Sequence, residues 1–266
     1  MLTITPLKTI PLIRQGDDLA DILVQALQAT NLQLQDGDIL VLTQKIVSKA
    51  EGRMVDLSTV TPSEKALKLA KQSEKDPRVV ELILQESHEI LRIRPGAIIV
   101  EHKLGFVCAN AGIDQSNVAP PHEGGVPERL EMAGMRDEGW VLLLPQNPDR
   151  SAENLRKNIQ SVTGKTIGIL IIDSHGRAWR EGTVGVTIGI AGVPGIVDMR
   201  GDLDLFGRAL QITQVGAADE LAAAASLMMG QAAEGMPAVH VRGFPYPLRE
   251  GKLDELLRPK EQDLFR

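Results

Sequence analysis

The run T-I-G-I-L-I-I at 166–172, followed at once by D-S-H-G-R at 173–177, constrains this chain more than any other stretch. Apart from Thr166 it carries no polar side chain, so it reads as the strongest buried strand in the sequence. Asp173 and Ser174 then put a carboxylate and a hydroxyl where that strand emerges. Strand exits of this kind are frequent site positions in sheets flanked by helices. A plain turn is the alternative. The abrupt change from apolar to polar favours a site.

The remaining elements follow from periodicity and punctuation. Residues 2–5 alternate like a short strand, and Ile10-Pro11-Leu12-Ile13 reads as extended, its proline keeping it out of a central sheet position. Gly16-Asp17-Asp18 opens a helix whose stripe is Leu19, Ile22, Leu23, Ala26 and Leu27. A short strand is expected at 39–42. Thr61-Pro62-Ser63-Glu64 matches a capping box with proline at the first helical position. That helix is expected to reach about residue 75, and Asp76-Pro77 starts another with Val79, Val80, Leu82 and Ile83 inward. Pro95-Gly96 separates the arms of a hairpin at 89–94 and 97–101. Strands at 140–144, 183–192 and 238–242 and helices at 149–162 and 217–229 complete the pattern.

Three polar stretches compete as sites. Residues 105–117, G-F-V-C-A-N-A-G-I-D-Q-S-N, open like a strand and end in Asp114, Ser116 and Asn117. Asp114 and Asn117 offer oxygens that hard divalent cations accept, or they cap their own backbone in an Asx-type turn. Residues 43–53 crowd Thr43, Lys45, Ser48, Lys49 and Arg53 just past a strand end, giving either an anion-binding surface or a solvated charged segment. Residues 230–237 form a glycine-bearing loop whose backbone amides can approach a ligand closely. The carboxylates of 201–207 fit cation binding or capping equally, and 120–127, with three prolines and two glycines, is a loop.

Composition sets the bounds. A length of 266 residues allows one large domain or two modest ones, and a net charge of −6 argues against non-specific nucleic-acid binding. The single cysteine, Cys108, precludes an intrachain disulfide and sits among apolar neighbours as buried filler. No apolar run approaches a membrane span and the N-terminus has no signal-peptide core, so a soluble, cytoplasmic protein is expected, with no nucleic acid and no membrane among its partners. Neither a Walker A motif nor a dinucleotide fingerprint occurs.

Four segments together, L-T-Q-K-I-V-S-K-A-E-G-R, G-F-V-C-A-N-A-G-I-D-Q-S-N, I-I-D-S-H-G-R and M-G-Q-A-A-E-G-M-P-A-V-H-V-R-G, resemble the coenzyme F420-0:L-glutamate ligase family, in order from 10 to 243. The resemblance implies a single ligase domain over 1–266 in a two-part α+β fold with mixed sheets, and not a P-loop, Rossmann or ATP-grasp architecture. Some relatives carry a fused C-terminal nitroreductase-like domain, and this chain, ending at Arg266, is expected to hold the ligase part alone. The implied reaction is GTP-dependent amide formation between coenzyme F420-0 and L-glutamate, with Mg2+ or Mn2+, K+ and a homodimer. Carried over by position, metal sites fall on Asp114, Asp173, Ser174 and Gln231. Nucleotide contacts fall on Ile10, Pro11, Leu12 and Ile13, on Gln44, Lys45 and Lys49, and on Asn117. They continue through Met229, Gly230, Gln231, Ala232, Ala233, Glu234, Gly235 and Met236. Gln44 and Lys45 depart from the smaller hydroxyl residues of an archaeal member.

The implied catalytic set is Asp114, Asp173 and Lys49, with the two aspartates on metal and the lysine on phosphate. His175 stays outside it as a lone histidine beside a turn. Two other readings remain: a metal-dependent phosphotransferase or GTP hydrolase acting on another small acid, and a GTP-binding module with an inactive site.

Overall fold

A computed structural model describes residues 1–118 and 139–264. The loop expected at 120–127 lies outside the described residues. The strands are β1 (Thr3–Pro6), β2 (Ile39–Thr43), β3 (Met54–Asp56), β4 (Ser87–Arg94), β5 (Ala97–His102) and β6 (Val107–Ala109). They continue with β7 (Trp140–Leu142), β8 (Gly168–Arg177), β9 (Arg180–Ala191), β10 (Val197–Asp198), β11 (Gln214–Val215) and β12 (Ala238–Arg242). The helices are α1 (Leu19–Ala29), α2 (Gln44–Ala50), α3 (Glu64–Ser73), α4 (Pro77–Gln85), α5 (Pro148–Thr163) and α6 (Ala217–Met229). Helices and strands are mixed along the chain and the strands form several separate sheets, an α+β organisation.

The chain divides into two compact units, one of residues 1–12, 18–47 and 146–266, the other of 13–17 and 48–145. The first holds a five-stranded sheet in the order β1-β12-β2-β8-β9. Only β2 and β8 run parallel, so the sheet is mixed. The T-I-G-I-L-I-I run lies on an interior strand, β8, between β2 and β9, and Ile169, Leu170 and Ile171 are wholly buried. A strand apolar on both faces needs cover on both. One of its cores joins Ile39, Val41, Leu170 and Ile172 to Ala218, Leu221, Ala222, Ala225 and Met229 of α6.

One expectation is corrected here. The strand expected to end at 172 continues as β8 to Arg177, so 173–177 is neither a strand exit nor the plain turn that was the alternative. Asp173 pairs with Val186, Ser174 with Gly185 and His175 with Val184 in the antiparallel ladder to β9. Backbone groups that a turn would expose are paired, and side chains alternate between faces instead.

Just before β2, the middle strand of this sheet, Asp38 is buried and accepts from His240 Nε2 at 2.8 Å, Arg242 Nη2 at 2.7 Å and the Gln35 amide at 2.8 Å. Burial pushes its carboxyl up, but the Arg242 and His240 bonds outweigh that and hold it below the usual aspartate range. A depressed carboxyl contributes stability at neutral pH that is lost as the pH falls through its folded value. Asp38→Ala is therefore expected to cost about 3–5 kcal/mol at pH 7, the range for breaking a buried pair, and to flatten the acid limb of stability. Urea unfolding at pH 7 and pH 3 checks both.

The second unit packs α3 and α4 on the sheet β4-β5-β6, with Val80, Ile83, Ile98 and Val100 fully buried. Cys108 is buried in the same core, as expected of filler. The capping box expected at 61–64 is shifted. Ser63, not Thr61, caps α3, its hydroxyl accepting from the Ala66 amide. The reciprocal carboxylate comes from Glu81 of α4, which accepts from the Ser63 amide and hydroxyl. A tertiary neighbour thus takes the part that Glu64 would play.

Candidate functional site

In the first unit, β8 carries the candidate residues out of the core. Asp173 and His175, two apart, share a face, and Ser174 lies on the other. The His175 ring donates from Nε2 to Asp173 Oδ2 at 3.0 Å, and both side chains are largely covered. Among the described residues, Asp173 Oδ1 accepts no hydrogen bond. Asp219, on α6, is half-buried and accepts from the Thr187 amide at 2.9 Å. Burial pushes its carboxyl up, against the opposing pull of that amide and of the nearby His175.

On the other face the Ser174 hydroxyl donates to Gln231 Oε1 at 2.9 Å, and Gln231 Nε2 donates to Ser226 Oγ at 2.9 Å. A chain of hydrogen bonds therefore runs from α6 through Gln231 to β8. In the 229–236 segment Met229 is buried, Gly230 and Met236 are half-buried, and Gln231, Ala232, Ala233, Glu234 and Gly235 are exposed. The expected openness of its amides is qualified by Glu234, whose carboxylate accepts from the Ala232 amide at 2.7 Å. The amides of Glu234, Ala232 and Gln231 hold that carboxyl below its usual range.

The first unit also takes Ile10, Pro11 and Leu12, of which Pro11 and Leu12 are exposed, together with Gln44 and Lys45. Gln44, a nucleotide contact only by the resemblance, is buried at the head of α2. Lys45 is half-buried.

The second unit takes Ile13, Lys49, Asp114 and Asn117. Ile13 is buried. Lys49 Nζ donates to the Asn117 carbonyl at 2.7 Å, tying the last turn of α2 to the end of the 105–117 segment. Asp114 exchanges both backbone bonds with Leu142 at 2.9 Å, so the ladder fixes where its side chain starts. The turn before it needs Ala111 and Gly112 at positive φ, and a Cβ at Gly112 would lie 2.7 Å from Leu144 Cδ1. Ser48 is buried, and Arg53 donates to Glu86 at 2.7 Å and to the Leu144 carbonyl at 2.8 Å. Both belong to the packing, not to the surface expected of 43–53. The basic candidates left there are Lys45 and Lys49.

The donor sets fit oxygen-loving cations. A covered carboxylate with one unengaged oxygen, Asp173, suits a hard divalent ion, while on the opposite face of β8 the Ser174 hydroxyl and Gln231 carboxamide offer neutral oxygens. Among the described residues, no group of three or more His, Cys, Asp and Glu is arranged for a metal. His175, set aside in the sequence as a lone histidine beside a turn, is bonded to Asp173, a pairing that the two-residue spacing on a strand permits. Asp219, near it on α6, carried no signal in the sequence.

Among the described residues, no helix is long and apolar enough to cross a membrane. Residues 8–243 match the family model described as F420-0:Gamma-glutamyl ligase. A coenzyme F420:L-glutamate ligase of Methanothermobacter thermautotrophicus is 47% identical over 258 residues, covering 96% of this chain and 95% of the relative. The protein of that name from Methanocaldococcus jannaschii is 45% identical over 233 residues, covering 88% and 86%. The one from Archaeoglobus fulgidus is 41% identical over 261 residues, covering 98% and 95%. With the match spanning every candidate segment from Ile10 to Met236, the chain belongs to the F420-0:gamma-glutamyl ligase family.

Proposed function

We propose that the chain is a GTP-dependent ligase that joins L-glutamate to the terminal carboxylate of coenzyme F420-0 and then adds further γ-linked glutamates, in coenzyme F420 biosynthesis. The observation that carries the reading is the extent of the family match, 8–243, which takes in both aspartates, the lysines of α2 and the 229–236 loop. A carboxylate is inert to an amine until one of its oxygens becomes a leaving group. Attack of the substrate carboxylate on the γ-phosphorus breaks the bond to the bridging oxygen, giving an acyl phosphate and GDP. The glutamate nitrogen then adds to the acyl carbon, phosphate leaves with the carbon–oxygen electron pair, and the nitrogen gives up a proton.

Phosphoryl transfer needs positioning and neutralisation of charge more than covalent chemistry. Mg2+ or Mn2+, with K+, would neutralise the phosphates and the acid when bound at Asp114, Asp173, Ser174 and Gln231. Lys49 and Lys45 would meet phosphate oxygens. Asn117, whose carbonyl already fixes the Lys49 ammonium, would set its height. The amides of 231–234 fit a phosphate once the Glu234 carboxylate yields them. A cytoplasmic homodimer belongs to the same reading, and a monomeric sedimentation mass would remove it.

The test is phosphate release from GTP with Mn2+ or Mg2+, with and without F420-0 plus L-glutamate, followed by product mass. Release requiring both co-substrates, with mass rising in glutamyl steps, is the expected result. Release with a different acid would make the chain a phosphotransferase or hydrolase. GTP binding without release under any combination would make it a binding module.

A further inference from the structure

We propose that His175 is a positioning residue, fixing the Asp173 carboxylate so that one oxygen, Oδ1, faces outward as a cation ligand. The inference rests on the reading of Asp173 as a metal ligand. A carboxylate carried on a strand rotates about two side-chain bonds and presents either oxygen unless something holds it. Here the holder is specific. His175 is two residues on, on the same face of β8, and its Nε2–H reaches Oδ2 at 3.0 Å. Both side chains are nearly nine-tenths covered, so water competes poorly for that bond. The opposite oxygen takes no hydrogen bond among the described residues. Groups that orient a metal ligand in this way are commonly worth tenfold to a hundredfold in metal affinity.

The experiment is titration of the full chain with Mn2+ alone, following free Mn2+ by electron paramagnetic resonance, for wild type, Asp173→Asn, His175→Phe and His175→Gln. His175→Phe keeps the ring volume and removes the donor, and it is expected to weaken Mn2+ binding by about tenfold or more. His175→Gln returns an amide N–H at a similar reach and is expected to bind within about twofold of wild type, a rescue that a packing role alone would not give. Wild-type binding by His175→Phe alongside weak binding by Asp173→Asn would overturn the positioning role and leave the ligand standing. Equal weakening in the Phe and Gln variants would also overturn it, as would tighter binding in the Phe variant. Wild-type affinity in Asp173→Asn would instead remove Asp173 as a ligand, and the proposal with it.

Discussion

Asp173→Ala is expected to lower metal-dependent phosphate release by roughly 100- to 1,000-fold or more while leaving the fold intact. The magnitude is that of removing one preorganised charge contact from a reaction whose barrier is set by electrostatics. The fold should survive because Asp173 sits past the buried half of β8, and its ladder bonds to Val186 are backbone bonds that alanine also makes. What alanine removes is the charge and the partner of His175. The measurement is initial rate across a range of Mn2+ and GTP concentrations, with a thermal melt as the control. A variant that kept full metal-dependent turnover would sink the assignment of Asp173. An unchanged melt with lost turnover is the result that the geometry favours.

Gly185→Ala is expected to cost about 1–3 kcal/mol, the usual range for overpacking, and to lower the melting temperature by roughly 3–10 °C. A Cβ at Gly185 would lie 2.5 Å from the Ala222 carbonyl oxygen and 2.6 Å from Ser226 Cβ. A helix backbone oxygen cannot step aside without moving the helix, and Ala222 is itself wholly buried. Displacement of α6 would carry Ser226 with it, and so would loosen the hydrogen-bond chain from Ser226 through Gln231 to Ser174. The variant should therefore lose cation affinity as well as stability. Gly176→Ala, with nothing within 4 Å of its Cβ, is the matched control and should melt like wild type. Differential scanning calorimetry of the two variants decides it. Equal melting would mean that α6 has room the packing does not show.

Several of these elements were legible in advance, some to the residue. Helix α6 at Ala217–Met229 and strand β12 at Ala238–Arg242 have the bounds read from alanine content, glycine punctuation and apolar alternation. Val79, Val80, Leu82 and Ile83 all face inward on α4, as a 3.6-residue period dictates. The failures share a cause. The Thr61 cap is displaced to Ser63 because Glu81 arrives from α4. Arg53 is withdrawn from the basic surface because Glu86 and the Leu144 carbonyl claim it. Segment 173–177 stays extended because β9 pairs with it.

The sequence by itself determined where most of the longer helices and strands lie, many of the residues that fill the core and which family the chain resembles. Those properties depend on neighbours within a few positions, or on order along the chain. Only the tertiary structure decided how the polar groups are engaged. Ser174 meets Gln231 across 57 positions and Asp219 meets Thr187 across 32, and no periodicity encodes such pairs. A polar side chain reads the same in sequence whether it is open to a ligand or occupied by a neighbour, because hydrogen bonding is a matter of distance in space.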